Sequence, residues 1–269
     1  MSAEQEGRLD NLFDLSGRTA LITGAGQGVG RGIALTLSAY GAKVVVNDFY
    51  LDRAEAVAEE IKQQDGQAIG VSGDVSDFKG VMGMFEECAA KFAPIDILVN
   101  NAGNAGAKMD LAEFSPFWET DPEEWANWLG SNFYGVMNCV RAAMPSMIER
   151  KWGRLITITS DAGRVGEPHL ATYSAAKAGA AGLMRAMAKA GGRYNITSNC
   201  IALGGVATPG AQQMLPDDEA IKRMLKHYVI RRVGRPSDAA AMSLLLASEA
   251  GSWITGQTYP VNGGYSSAF

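Results

Sequence analysis

Thr19-Ala20-Leu21-Ile22-Thr23-Gly24-Ala25-Gly26-Gln27-Gly28-Val29-Gly30 is the stretch on which the reading of this chain turns. Residues 19–23 form a short apolar run of the kind that makes a buried strand. The glycines follow at once, and residues 31–40 then read as a helix stopped by Gly41. A strand, a glycine loop and a helix in direct succession let backbone N–H groups approach an anion at the helix amino end. The spacing Gly24-x-x-x-Gly28-x-Gly30 overlaps the common GxGxxG pattern only at Gly26 and Gly28. It is not a P-loop, because no Lys-Ser/Thr follows Gly30. A glycine turn that merely allows close helix–strand packing would look the same. The strand-loop-helix context favours a bound dinucleotide.

Outward from this stretch the same alternation repeats. Strands are expected at 43–47, 68–72, 95–100, 155–159, 196–202 and 257–261. Helices are expected at 51–64, 77–92, 122–150, 171–191 and 237–248. The strands are too apolar to have a wet face, which predicts an α/β fold: one parallel sheet of about seven strands with helices on both sides. Residues 1–16 read as a polar leader and 17–269 as a single domain, with a long irregular stretch at 203–235. The 269 residues suffice for one large core.

Composition narrows the function classes. The net charge is −5, which argues against wholesale nucleic-acid binding. No window is long and apolar enough to span a membrane, and the leader is not a signal peptide. Cys88, Cys139 and Cys200 form no CxxC pattern, so a reduced, cytoplasmic setting is expected. His169 and His227 are the only histidines, and no metal site is recognisable.

Asp48 ends the second strand, 24 residues after Gly24. A carboxylate there can accept hydrogen bonds from adenosine ribose hydroxyls and repels a 2′-phosphate. No arginine stands at Gln27 or Phe49 to welcome that phosphate, and Arg53 reaches it only from the next helix. NAD is therefore expected over NADP. Asp48 can equally cap the helix that starts near Leu51, and the two roles are compatible. Tyr173 and Lys177, four residues apart, share one helix face. An ammonium beside a phenol lowers the phenol's pKa, which would let Tyr173 exchange a proton with a substrate oxygen at neutral pH.

With both ends in view, the chain resembles the short-chain dehydrogenase/reductase family. Thr23–Gly30 is similar to its TGxxxGxG loop, and Asn100-Asn101-Ala102-Gly103 to its NNAG motif. Asn132 matches its helix asparagine, Ser160 precedes Tyr173 by the family's 13 residues, and Tyr173 and Lys177 match YxxxK. Asn262-Gly263-Gly264 resembles the end of the last strand. The resemblance implies a three-layer Rossmann fold, doubly wound, with Asn132, Ser160, Tyr173 and Lys177 as catalytic residues. It implies cofactor contacts from Gly24, Gln27, Gly28, Val29, Gly30, Asp48 and Phe49, and from Asp74 and Val75 near the adenine. It also implies contacts from Asn101, Ala102 and Gly103 near the ribose, from Tyr173 and Lys177, and from Val206 and Thr208 at the nicotinamide. The family usually has Pro-Gly where this chain has Leu203-Gly204, which predicts a more mobile or differently shaped nicotinamide loop.

Substrate contacts are expected from 104–121, 161–170 and 203–235, with Arg164 and Met214 as candidates. Met109, Leu111, Phe114, Phe117 and Trp118 suggest an apolar pocket, unless they only cover the sheet edge. Lys222, Arg223, Lys226, Arg231, Arg232 and Arg235 form a basic run without an acid, either a rim for a coenzyme A phosphate or a solvated face. The expected reaction is hydride transfer between NAD and a secondary alcohol or ketone, on a hydrophobic, cyclic, steroid-like or CoA-linked substrate. The alternatives are an NADPH-dependent 3-oxoacyl-acyl-carrier reductase and a non-catalytic NAD-binding regulatory module. The Ala/Gly-rich helix 171–191, with helix 122–150, predicts a homodimer or homotetramer.

Overall fold

The computed structural model describes residues 12–103, 115–209 and 218–267. Seven strands build one sheet: β1 Thr19–Ile22, β2 Lys43–Asp48, β3 Ala68–Ser72, β4 Ile97–Asn100, β5 Gly153–Ser160, β6 Ile196–Leu203 and β7 Thr258–Val261. Their order is β3-β2-β1-β4-β5-β6-β7, and every neighbouring pair is parallel. The chain winds outward from β1 in one direction, then returns to β4 and winds in the other. That reversal opens a crevice beyond the carboxyl ends of β1 and β4.

The period of two sorts the strand side chains into two cores. Ala20, Ile22, Val44, Val46, Ile97 and Val99 face one side, packed with α1 (Gly28–Ala39), α2 (Leu51–Lys62) and α9 (Pro236–Ala247). Leu21, Val45 and Leu98 face the other, packed with α3 (Phe78–Lys91), α5 (Gly135–Arg150) and α7 (Ala171–Gly191). Both faces of the sheet are therefore covered, the three-layer Rossmann arrangement that the apolar strands predict.

One expectation about local structure is revised. The stretch 122–150 is not one uniform helix. It runs as α4 (Pro122–Leu129), a π turn (Gly130–Tyr134) and α5, so the helix is underwound and bulges by one extra residue at the buried Asn132. β6 continues through Leu203, which is 8% exposed and paired with Ser160 on one side and Val261 on the other. Beyond it, Val206 forms a bridge with Gly234, and Gly205 N–H donates to the Tyr228 hydroxyl at 2.7 Å. Pairing fixes here what a proline ring would fix elsewhere. Between 203 and 235 the described elements include α8 (Asp218–Leu225), while a single turn, α6 (Ala162–Val165), follows β5.

Gly70 on β3 lets α2 lie directly on the sheet. A Cβ there would stand 2.6 Å from the Glu55 nitrogen and 2.7 Å from the Ala54 carbonyl carbon, both backbone atoms that cannot yield by a rotamer change. We expect Gly70→Ala to cost about 1–3 kcal/mol of stability in urea denaturation. No loss would mean that α2 is free to shift.

Candidate active site

The crevice is held open by one polar bracket. The Asn101 carboxamide donates to the Thr23 and Gly24 carbonyls, each at 2.9 Å. The Thr23 hydroxyl in turn accepts the N–H groups of Asn101 and Ala102, each at 3.0 Å. The loops after β1 and β4 are thereby tied together, and Gly30 leaves room for the Asn101 side chain. Asn101 is thus engaged with backbone, and any ribose contact would come from its neighbourhood rather than from these donors.

Gly24 and Gly28 take left-handed φ values of +60° and +57°, which glycine adopts without strain. Gln27 is extended and makes no side-chain cap, so it leaves the first-turn amides of α1 at Gly28, Val29 and Gly30 uncapped, which suits an anion. A Cβ on Gly28 would approach Thr208 Cγ2 to 3.2 Å, so this face of the loop needs the missing side chain. Asp48, 6% exposed, accepts the Gly26 amide at 3.0 Å and the Tyr50 amide at 3.1 Å. It shapes the glycine loop and begins the turn into α2. Phe49 is exposed with its edge toward Tyr50, and the Arg53 guanidinium lies 4.6 Å over the Tyr50 ring. The carboxylate of Asp74 turns back to the Ser76 amide and hydroxyl, at 2.8 and 2.7 Å. Val75 is buried against Gly135, with its carbonyl accepting from Asn138 at 2.9 Å. A glycine cradle at a helix amino end, with a carboxylate at the end of β2, fits a nicotinamide dinucleotide.

The catalytic candidates come together from four segments. A Cβ placed on Gly103 would lie 2.5 Å from Asn132 Oδ1 and 2.9 Å from Lys177 Nζ, so the loop after β4, the π turn and α7 meet at one point. Asn132 donates to the Trp128 carbonyl at 2.8 Å, and the Trp128 ring meets Tyr173 edge-on with centroids 5.5 Å apart. Ser160 ends β5, where its hydroxyl accepts the Ala162 amide at 3.2 Å and hydrogen-bonds Tyr173. Trp128 carried no signal of its own in the sequence. Its distance of four residues from Asn132, one helical turn, is the clue that places both on one face.

The electrostatics correct the expected ionisation. Burial raises the Tyr173 phenol above its ordinary value, against a smaller lowering by the Ser160 hydrogen bond. Lys177 does not produce the expected lowering. Its Nζ donates to the Ile158 carbonyl at 3.0 Å and lies 5.6 Å from the Tyr173 ring centroid. Burial instead lowers Lys177 itself, from 10.5 to about 8.

The substrate candidates are scattered. Met214 lies outside the described residues, as do Met109, Leu111 and Phe114. Arg164 donates to Asp161 at 2.7 Å, to the Ser266 hydroxyl at 2.8 Å and to the Ser267 carbonyl at 3.2 Å, so its guanidinium is engaged within the protein. In the basic run Arg232 pairs with Asp238 through two bonds, at 2.7 and 2.9 Å, and Lys222 with Glu219 at 2.9 Å. Phe117 and Trp118 are exposed, as are Val165, Val229 and Ile230.

A family model described as enoyl-(acyl carrier protein) reductase matches residues 24–266. The chain is 36% identical to the 7α-hydroxysteroid dehydrogenase of Escherichia coli over 258 residues, covering 95% of this chain and 96% of that one. It is equally 36% identical to a Staphylococcus aureus 3-oxoacyl-acyl-carrier-protein reductase, over 92% of this chain and 97% of that one. Among solved structures, a 7α-hydroxysteroid dehydrogenase complexed with NADH and 7-oxo glycochenodeoxycholic acid superposes with a TM-score of 0.88. It is 35% identical, covering 96% of this chain and 97% of that one. A gluconate 5-dehydrogenase from Burkholderia cenocepacia with NADP and tartrate gives 0.89 at 32% identity, covering 97% and 100%. The glycine cradle, the Asn-Asn-Ala-Gly bracket and the gathered Asn132, Ser160, Tyr173 and Lys177 agree with these likenesses, and the chain belongs to the short-chain dehydrogenase/reductase family, oxidoreductases that act on CH–OH groups.

Proposed function

We propose that this protein uses NAD to interconvert a secondary alcohol and its ketone, on a substrate with a hydrophobic, cyclic or CoA-linked body. The observation that carries the reading is the meeting of Asn132, Gly103 and Lys177 at one point beside Tyr173. When bound, the nicotinamide gives or takes the hydride, and the protein supplies position and protons. In reduction, the Ser160 hydroxyl hydrogen-bonds the ketone oxygen and holds it. Tyr173 then donates its proton to that oxygen as negative charge grows there. In oxidation the Tyr173 oxygen takes the proton from the alcohol. Lys177 holds positive charge beside the phenol and would hold the cofactor ribose, while Asn132 would link Lys177 to solvent through a water.

Asp48 supports NAD. Its carboxylate lies beside Gly26 at the end of β2, where a 2′-phosphate would meet a like charge. NADPH-dependent reduction of an acyl-carrier substrate is the second reading, favoured by Arg53, whose Cβ lies against Gly26. The exposed Trp118, Val229 and Ile230 support an apolar substrate, and the cations Arg223, Lys226 and Arg231 support an anionic handle on it. We further infer that the chain is a single domain that works as a homodimer or homotetramer in the cytoplasm. Among the described residues no helix is long and apolar enough to cross a membrane.

Three measurements test this reading. Tyr173→Phe should lower ketone reduction by about 10²–10⁴-fold. Because burial keeps the phenol protonated, wild-type reduction should hold steady through neutral pH while alcohol oxidation climbs with pH. Unchanged reduction in the variant removes the assignment. Asp48→Asn should shift kcat/KM from NADH toward NADPH by about tenfold or more, and a wild-type preference for NADPH would favour the second reading. The third concerns Lys177. Its folded-state pKa is depressed, so the unfolded chain holds the extra proton between about pH 8 and 10.5. The cost of burying the ammonium is full below about pH 8 and fades toward pH 10.5. Relative to wild type, Lys177→Met should therefore be more stable at pH 7 than at pH 10.5, by up to about 3 kcal/mol in urea denaturation. An equal difference at both pH values contradicts the buried charge.

A further inference from the structure

The proton-transfer scheme makes no use of Asp161, the residue that follows Ser160. Its side chain is 3% exposed, and both carboxylate oxygens are engaged from different directions. Arg164 Nη1 donates to Oδ1 at 2.7 Å from within the same turn, and Asn262 Nδ2 donates to Oδ2 at 2.6 Å from the end of β7. The Asp161 amide donates to the Leu203 carbonyl at 3.0 Å. The peptide that joins Ser160 to Asp161 is thus clamped between a β6 backbone bond on one side and a buried carboxylate on the other.

The clamp reaches the end of the described chain. Asn262 Nδ2 also donates to the Ser266 carbonyl at 2.9 Å, and Arg164 donates to the Ser266 hydroxyl and Ser267 carbonyl. The Tyr265 hydroxyl donates to Glu167 at 2.6 Å, and the Glu167 amide donates to the Ser174 hydroxyl at 3.2 Å, one residue past Tyr173. The segment 262–267 therefore touches the turn after Ser160 directly and reaches the helix that carries Tyr173 through Glu167. Buried ionic contacts are lost severely when one partner is removed, because the other charge stays behind without compensation.

We propose that Asp161 is a positioning residue. With Arg164 and Asn262 it anchors segment 262–267 beneath the Ser160 turn and so fixes the Ser160 hydroxyl relative to Tyr173. This rests on the proposed alcohol–ketone chemistry, which the same experiment tests separately. A small misplacement of a reacting group costs up to about 100-fold in rate, whereas a bond that serves only stability leaves the turnover of folded enzyme unchanged.

The test is a double-mutant cycle in kcat and KM for carbonyl reduction, with the NADH dissociation constant followed by fluorescence. It compares wild type, Ser160→Ala, Asp161→Asn and the double variant. Asp161→Asn should lose about 10- to 100-fold in kcat per folded molecule, with NADH affinity within about twofold. In the Ser160→Ala background the same change should have little further effect, because there is no hydroxyl left to position. Arg164→Gln, at a more exposed side chain, keeps the test available if Asp161→Asn fails to fold; it should show the same pattern with a smaller loss. Full kcat in a folded Asp161 or Arg164 variant overturns the proposal, as does a loss that multiplies independently with that of Ser160→Ala. Undiminished activity of Ser160→Ala itself would instead remove the underlying function.

Discussion

A carboxamide and a hydroxyl hold the two halves of this molecule together at the place where the sheet reverses direction. Asn101 and Thr23 satisfy each other's loops across the gap between β1 and β4. Loop backbone at the end of a buried strand must find partners, since unpaired N–H and C=O groups are expensive to bury. Here those partners lie on the opposite loop. The bonds that remove the penalty also set the width of the crevice, and the glycines follow from it. Gly30 makes room for Asn101, Gly24 turns the chain left-handed, and a Cβ on Gly24 would meet the Ala102 backbone at 2.8 Å. A loop that reads as a ligand motif is therefore, in the same atoms, a packing device. The two readings of its glycines do not compete.

The fold was largely legible in the sequence because its signal is local and periodic. Apolar runs of four to eight residues separated by helical patterns give the strands, their parallel pairing and the two covered faces. Asn132, Ser160, Tyr173 and Lys177 were legible as residue types at intervals, and the structure gathers their segments. The π turn at 130–134 was not, since Gly-Ser-Asn-Phe-Tyr continues an acceptable helical pattern and only the packing of Asn132 beside Gly103 and Lys177 distinguishes it. Nor could the engagement of Arg164 be read, because its partners Ser266 and Ser267 lie about a hundred residues away.

The ionisation of the Tyr173–Lys177 pair shows where spacing stops being informative. Four residues of helix bring a cation near a phenol, and in water that would favour phenolate. Desolvation acts on both groups at once and pushes each toward its neutral form, the phenol upward and the ammonium downward. Lys177 Nζ donates a hydrogen bond to the Ile158 carbonyl at 3.0 Å. The raised phenol is in its donor form at neutral pH but is a weaker acid for it, and a lysine held near 8 responds to small changes in its surroundings.

Burial of charge serves opposite ends at opposite edges of the sheet. At the amino edge, Arg18 and Arg154 sandwich the Trp152 ring at 3.7 and 4.2 Å, and Arg154 reaches Glu249 at 3.2 Å. Asp96 there accepts the Thr19 amide at 2.9 Å and also pairs with Arg150. Every charge in that cluster has an opposite charge or an aromatic face beside it, so the cluster knits β1, β4 and β5 together. At the carboxyl edge, among the described residues, Lys177 has a carbonyl rather than a carboxylate, and it has the phenol. An aspartate in that position would hold the ammonium firmly charged and quiet. With a carbonyl as its partner among the described residues, Lys177 is able to respond to charge that develops on Tyr173. The guanidinium charges on one edge are fixed by their chemistry and their partners, whereas the buried ammonium on the other titrates readily.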